Sequence, residues 1–434
     1  MNIVKGVFRR TKLEGWYEFM KQTCPICNKT GGCIIHESGE KVACIRVPSE
    51  IQFGKGALPS WLHFIKDGVK VDVSTSYKVA PTRSKLPDQM LHHIYSAMMK
   101  HDLTALTREH MNHLTSRGIS KETIDVRGYC SFPEKPWIVA KEIIPEQLAN
   151  RLEDPKFPMG IPGFYKNQYG WTIAGNEGIL IPYRNEHNWI VGFQIRIDHP
   201  KNDVEVNSIN FPGLMARVKE QPNLVQVFDD EGEVILERHF ELNEQIEIKK
   251  NGKVGTVRLK KGQRYFWLSS ANKNCGASAG EPIPVHVAVP TQRLKAWNSA
   301  VEKDLKNNSS DIHTTLKAEN VWITEGALKA DIAVDHIAKA FNEEIKEVGD
   351  TFLAVPGANS WRSLIPVLDN MGVKRVNIAF DMDAIFNEHV KMHFKNMVAE
   401  LKNKYDVFVA LWNPKNKGID DLLTRGIKPQ LRKI

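Results

Sequence analysis

Two short apolar stretches in the last third of the chain constrain it most. Val321-Trp322-Ile323-Thr324-Glu325-Gly326 reads as a strand ending in a carboxylate and a glycine. Val376-Asn377-Ile378-Ala379-Phe380-Asp381-Met382-Asp383 reads as a strand ending in two carboxylates one residue apart. Around them, strand-like segments at 321–324, 352–355, 375–380 and 407–411 alternate with helix-like segments from about 326, 361 and 385. Such alternation predicts a parallel sheet flanked by helices. Open sheets of this kind gather ligands at the carboxyl ends of their strands, so Glu325, Asp381 and Asp383 are expected at one edge. Three acids without an obvious cation among them repel one another. A divalent ion that prefers hard oxygens, most simply Mg²⁺, relieves that repulsion and suits phosphoryl transfer. Ser360, after the turn that begins at Val355-Pro356-Gly357, is placed to cap the following helix.

Four of the six cysteines fall between positions 24 and 44: Cys24-Pro25-Ile26-Cys27, then Cys33 and Cys44. A Cys-x-x-Cys knuckle presents two thiolates to one ion, and a tetrahedral Zn²⁺ takes two more, here from a hairpin turning at Ser38-Gly39. His36 is the competing ligand. Reduced buried thiols in a small β module are the alternative to metal. No apolar run is long enough to span a bilayer, and the basic N-terminus lacks the apolar core of a signal peptide. A cytoplasmic location is therefore expected, where clustered thiols argue for metal rather than disulfides.

In the middle of the chain, helical apolar spacing runs from Pro87 to Met111, with Asp88 as a candidate N-cap. Leu114-Thr115-Ser116-Arg117-Gly118-Ile119-Ser120-Lys121-Glu122-Thr123-Ile124 reads as a helix-turn-helix elbow, with Gly118 closing one helix and Ser120 capping the next. Gly178–Arg184 and 190–196 read as a hairpin turning at Asn185 to Asn188. Residues 201–262 hold alternating patterns with Asp229-Asp230-Glu231-Gly232 and Asn251-Gly252 turns, which predict an inserted β-rich lobe. Its second half carries Lys249, Lys250, Lys253, Arg258, Lys260, Lys261 and Arg264, either a nucleic-acid track or a lysine-protected sheet edge. The formal charge of +8 is compatible with a polyanionic partner without requiring one.

Taken with its neighbours, the acidic stretch resembles the Toprim domain of primases, topoisomerases and some nucleases. Lys417-Gly418-Ile419-Asp420-Asp421-Leu422-Leu423 resembles the end of that domain's site. The elbow resembles the "L-x-x-R-G-[IL]-S-x-E-T-I" segment of bacterial primases. The hairpin resembles their "F-P-I…G-F-x-x-R" stretch at Ile181-Pro182, Val191-Gly192-Phe193 and Arg196, and Tyr265-Phe266-Trp267-Leu268-Ser269-Ser270 their "K-Y-x-N-S-P" stretch. The N-terminal cysteines resemble a four-cysteine variant of the primase zinc ribbon. Two departures stand out: Lys329 occupies a place where primases often carry aspartate, with Asp331 two residues on, and Met382 separates the paired aspartates where glycine is usual.

The resemblance implies an α/β multidomain chain. A zinc ribbon spans 1–66, a linker 67–86, a mixed α+β primase-core subdomain 87–290 with its insertion at about 201–262, and a Toprim catalytic domain 291–434. It implies a DNA primase that makes short RNA primers on single-stranded DNA from NTPs. Asp381 and Asp383 would bind Mg²⁺ or Mn²⁺, while Glu325 would act in acid–base chemistry or hold a metal-bound water. Asp420 would support a metal, and Lys329 and Lys417 would meet phosphate oxygens. Arg184, Arg196 and Arg264 are candidates for phosphate contacts on template or incoming nucleotide, against solvated strand-end charges as the plainer reading. No phosphate loop of the Gly-x-x-x-x-Gly-Lys-Ser/Thr kind occurs, so a helicase is expected only as a separate partner. The Glu325-Gly-Ala-Leu-Lys-Ala-Asp variant is similar to primase-like Toprim proteins of phages and integrative elements. A Toprim nuclease and a non-catalytic replication adaptor are the alternatives.

Overall fold

The computed structural model describes residues 3–4, 8–11, 13–20, 22–53, 60–65, 70–71, 83–280, 282–306, 315–381 and 388–434. Asp383 lies outside these residues, as does most of the expected linker. The chain divides into two compact units, Ala80–Asp198 with Tyr265–Ile434, and Met1–Val79 with His199–Arg264. In this division the insertion groups with the N-terminal module, and residues 87–198 group with the C-terminal sheet.

The first unit is built on two larger sheets, beside two two-stranded ones. Helix α1 (Asp88–Met99), α2 (Arg108–Ser116) and α3 (Lys121–Arg127) precede the strand β1 (Cys130–Ser131). β1 pairs antiparallel with β2 (Gly178–Arg184), β2 with β3 (Ile190–Ile197), and β3 with β4 (Tyr265–Trp267). The second sheet runs, in spatial order, β5 (His286–Ala288), β7 (Thr351–Val355), β6 (Asn320–Glu325), β8 (Arg375–Ile378), β9 (Asp406–Leu411) and β10 (Gln430–Lys433). Its four central strands are parallel and both edges antiparallel. Helices α4 (Thr291–Lys306), α5 (Ala327–Phe341), α6 (Leu364–Met371), α7 (Glu388–Leu401) and α8 (Ile419–Thr424) accompany it. The central strands are buried on both faces, as continuous apolar runs in parallel sheets require.

The elbow forms as its sequence predicts. Gly118 takes φ +85° just past α2, and the Ser120 hydroxyl accepts the Thr123 N–H at 3.0 Å. Leu114, Ile119 and Ile124 share one buried cluster with Tyr183 and Val191 of the hairpin and Ala327, Leu328 and Ile332 of α5. That cluster fixes the elbow against the helix that follows Glu325.

Three local expectations fail. The single helical run at Pro87–Met111 is two helices, because His101 caps a 3-10 turn at Asp102–Thr104 that breaks it. Asp88 lies inside the first turn of α1, and its carboxylate accepts from Asn185 instead of capping. Ser360 is no N-cap either. It sits inside a 3-10 turn, Ala358–Ser363, and α6 starts only at Leu364.

In the second unit, a six-stranded sheet carries Phe8–Arg10, Trp16–Phe19, Ile34–His36, Lys41–Cys44, Ser60–Phe64 and Gln52–Phe53 in that order. The insertion adds two three-stranded antiparallel sheets. Its Asn251-Gly252 turn has both residues at positive φ, 52° and 74°, as a two-residue hairpin demands. The insertion holds the zinc-ribbon-like knuckle directly: Glu205 accepts from the Thr30 N–H at 3.3 Å, and Lys260 donates to the Thr30 hydroxyl at 3.2 Å.

Candidate metal and phosphate sites

Cys24, Cys27, Cys33 and Cys44 converge, with all four sulfurs within 4.8 Å of one another. The Cys27–Cys33 and Cys33–Cys44 sulfurs are 3.7 Å apart. A tetrahedral zinc with bonds of about 2.3 Å spaces its sulfurs about 3.8 Å apart, so the donor set fits that ion. The N–H groups of Arg46 and Val47 each point to the Cys44 sulfur at 3.3 Å, the kind of outer bond that steadies a thiolate. His36 is not in the group; its Nδ1 meets the Ser38 hydroxyl at 3.0 Å.

At the C-terminal sheet, the acids only partly gather. Asp381 follows β8, and both its oxygens accept from the Lys329 ammonium at 2.5 Å. Lys329 reaches it from the first turn of α5, which begins right after Glu325-Gly326. Asp420 opens α8 and is almost wholly buried. A Cβ placed on Gly418 would lie 2.4 Å from Asp420 Oδ1, 3.3 Å from Asp381 Oδ1 and 3.6 Å from the Lys329 chain. Gly418 is therefore where backbone, both carboxylates and the lysine meet. Glu325 ends β6 at the same edge, half-buried, yet it does not join Asp381 and Asp420 in a three-acid group within 4.8 Å. Lys417 is exposed beside Gly418.

Sequence reasoning missed Arg117. The elbow arginine donates to Asp420 Oδ2 at 2.7 Å, across 303 residues of chain. Asp420 Oδ1 is buried and has no hydrogen-bond partner. A cleft of about 370 Å³ opens here, lined by Arg117, Gly118, Ile332, Asp421, Thr424 and Arg425. An orphaned carboxylate oxygen next to a second carboxylate is a donor set that fits a hard divalent cation. Lys329, on both oxygens of Asp381, already neutralises part of that carboxylate's charge.

The arginines named from sequence are dispersed. Arg184 is buried, Arg196 is half-buried on β3, and Arg264 is exposed in the other compact unit. In the insertion, Lys249, Lys250, Lys253, Arg258 and Lys260 pair with Glu247, Asp229, Asp230 and Glu205. That pairing favours a charge-protected sheet over a free basic track.

Burial pushes the Asp420 carboxyl above the ordinary range; Asp421 and Asp381 add to this, and Arg117 and Lys329 oppose it. An acid with a raised native value binds its proton more tightly folded than unfolded, so its ionised form weakens the fold at neutral pH. Asp420→Asn is accordingly expected to raise the melting temperature at pH 7. The gain fades as pH falls and wild-type Asp420 takes up its proton. Thermal melts of both proteins from pH 7 to pH 4 test this, and a lower melting point for the variant at pH 7 contradicts it.

No protein-family model and no curated protein matches the chain. Among solved structures it is similar to the DnaG primase catalytic domain bound to ssDNA, at 10% identity over 78% of this chain and 75% of that one, TM-score 0.38. It is similar to the zinc-binding and RNA polymerase domains of Aquifex aeolicus primase at 10% identity, covering 96% and 77%, TM-score 0.39. The RNA polymerase domain of Mycobacterium tuberculosis primase DnaG gives 10% identity over 79% and 81%, TM-score 0.39.

Proposed function

We propose that this chain is a DNA primase that makes short RNA primers on single-stranded DNA. The observation that carries the reading is the Arg117–Asp420 ion pair. It joins the primase-like elbow to the Toprim-like acidic ending, two motifs recognised independently in the sequence.

Asp381 and Asp420 would hold a Mg²⁺ or Mn²⁺ ion, with Glu325 and Asp383 as further oxygen donors. When bound, that ion supplies charge neutralisation for attack of a 3′-hydroxyl on an NTP α-phosphate. The chain's own residues set the stage for it. Lys329 holds Asp381 in place and brings a cation to the carboxylates. Arg117 fixes one oxygen of Asp420 and leaves the other available. Arg425, in the cleft wall, and Lys417, beside Gly418, offer phosphate-binding charge. Zinc at the four cysteines would rigidify a template-reading module. NTPs, a separate helicase and replication of a phage or integrative element belong to the same proposal. Among the described residues, no helix is long and apolar enough to cross a membrane.

The test incubates zinc-loaded protein with mixed-sequence single-stranded DNA, labelled NTPs and Mg²⁺, beside Asp381→Ala. Short labelled RNA from wild type alone is expected. Template cleavage by wild type alone would replace the reading with a nuclease, and equal DNA binding without any product would favour an adaptor. A finer variant is Gly418→Ala. Its backbone, at φ −111° and ψ 165°, admits alanine, so the effect comes from the Cβ pressing on Asp420. Synthesis is expected to fall on the order of 10²-fold, the penalty of a roughly 1 Å misplacement, with circular dichroism unchanged. Full activity of Gly418→Ala would remove Asp420 from the reaction.

A further inference from the structure

A second cavity, of about 520 Å³, lies between α1, α3, the β2–β3 turn and α4. It shares no lining residue with the carboxylate cleft. Arg184 lines it and is only 5% exposed. Its guanidinium donates to the Arg127 carbonyl at 3.0 Å, to Asn188 Oδ1 at 3.1 Å and to Asn298 Oδ1 at 3.5 Å. All three acceptors are neutral. Among the described residues no carboxylate lies within ion-pair distance of it, and Asp331, whose field it feels, is already bonded to Arg127, His286 and Tyr129. Burial lowers the guanidinium to about 10, the nearby Asp331 opposing that, so it stays charged at neutral pH. A charge taken out of water without a counterion is expensive, and buried charges are usually paired.

The rest of the cavity suits a small amphipathic anion. Met99, Val126, Ile190 and Val301 give it apolar wall. His92 accepts the Ile190 N–H at its Nδ1, which leaves Nε2 as the protonated, donating nitrogen of a neutral ring. Lys100 stands at the cavity as a second cation, exposed and paired with Glu302 at 3.3 Å; Asp125 is the other acid there, also exposed. The volume falls in the range of small-ligand pockets. Guanidinium groups grip phosphate oxygens through paired N–H donors.

We propose that this cavity binds a phosphate-bearing small molecule of nucleotide size, its phosphate on Arg184 and its apolar body against Met99, Ile190 and Val301. The site stands apart from the carboxylate cleft, and although the primase resemblance also offered Arg184 for phosphate contact, its test reads binding alone and is separate from primer synthesis.

The test is calorimetric titration of the full zinc-loaded chain with ADP and, separately, adenosine, without added divalent metal. ADP is expected to saturate at micromolar concentration, with adenosine far weaker. Ser96→Phe, which plugs the cavity from a half-buried position on α1, is expected to abolish binding. Lys100→Glu is at an exposed site and cannot unfold the chain; it is expected to weaken ADP at least about tenfold, the worth of one charge-assisted contact. No saturable ADP binding below millimolar concentration overturns the proposal. So does adenosine binding as tightly as ADP, or unchanged ADP affinity in Lys100→Glu, which would put the nucleotide elsewhere.

Discussion

Cys33→Ser is expected to melt the N-terminal β module and release one zinc ion per chain. The module's strands are short, and its buried cluster is small: Phe8, Tyr17, Phe19, Ile35 and Val42 pack directly on Cys24, Cys33 and Cys44. The cysteines are thus part of the core they would cross-link. Sheets of this size need a staple, and structural zinc supplies about 10–16 kcal/mol of apparent free energy in isolated finger peptides. Here part of that goes to ordering the knuckle, whose Thr30 is also held by Glu205 and Lys260 of the insertion. The expected result is protease cutting within residues 8–64 of the variant while Ala80–Asp198 and Tyr265–Ile434 resist. Chelation of wild type should reproduce it. Metal analysis by mass spectrometry gives the stoichiometry. A wild-type chain that carries no zinc and still resists protease across the module would show that the four thiols pack as an apolar cluster only.

Much of the architecture was legible because it is written in local pattern. The four parallel strands appear where apolar runs alternate with helical spacing, and the β2–β3 hairpin falls at its Asn185–Asn188 turn. The elbow follows from Gly118 and Ser120, whose backbone demands are local. The convergence of the four cysteines was legible for the same reason: ligand spacing is short-range.

What the sequence hid is non-local. Nothing near Arg117 or Asp420 announces that they touch. Arg184 reads either as a phosphate contact or as a solvated strand-end charge, yet the packing of α1, α3 and α4 buries it. The basic run of the insertion reads equally as a track or as a protected edge until its acids are seen opposite. The break between α1 and α2 depends on His101 accepting the Leu103 N–H, a side-chain competitor that helical spacing does not reveal. Lys329 is the instructive case. As a departure from a motif it puts the metal chemistry in question, whereas its ion pair with Asp381 shows a cation standing where repulsion among acids would otherwise be greatest.

Asp331→Ala is expected to destabilise the larger unit by about 3–5 kcal/mol, the range found when one member of a buried ion pair is removed. Asp331 is 2% exposed; it accepts from Arg127 at 2.5 Å, from Tyr129 at 2.6 Å and meets His286 Nε2 at 3.0 Å. Its loss leaves Arg127 with the longer Asp335 contact at 3.5 Å and the Val289 carbonyl at 3.1 Å, its Nε already lacking a partner. Burial would raise the Asp331 carboxyl, but Arg127 and His286 outweigh it and hold it at about 2. A depressed acid stabilises the fold above its unfolded value, near 4, and loses that contribution as pH falls toward 2. Urea melts should therefore show the Asp331→Ala deficit at full size at pH 7 and shrinking between pH 4 and pH 2. The double variant Arg127→Met/Asp331→Leu is expected to recover most of the stability, since matched apolar groups often replace a buried pair without loss. It need not recover the proposed primer synthesis. Arg127 ends α3, the elbow's second helix, and Asp331 sits two residues past Lys329 on α5. The pair clamps the element that carries Arg117 onto the element that carries Lys329. Restored melting with impaired synthesis would assign this clamp to aligning Arg117 and Lys329 on the carboxylates. Restored melting with full synthesis would leave it a role in folding alone.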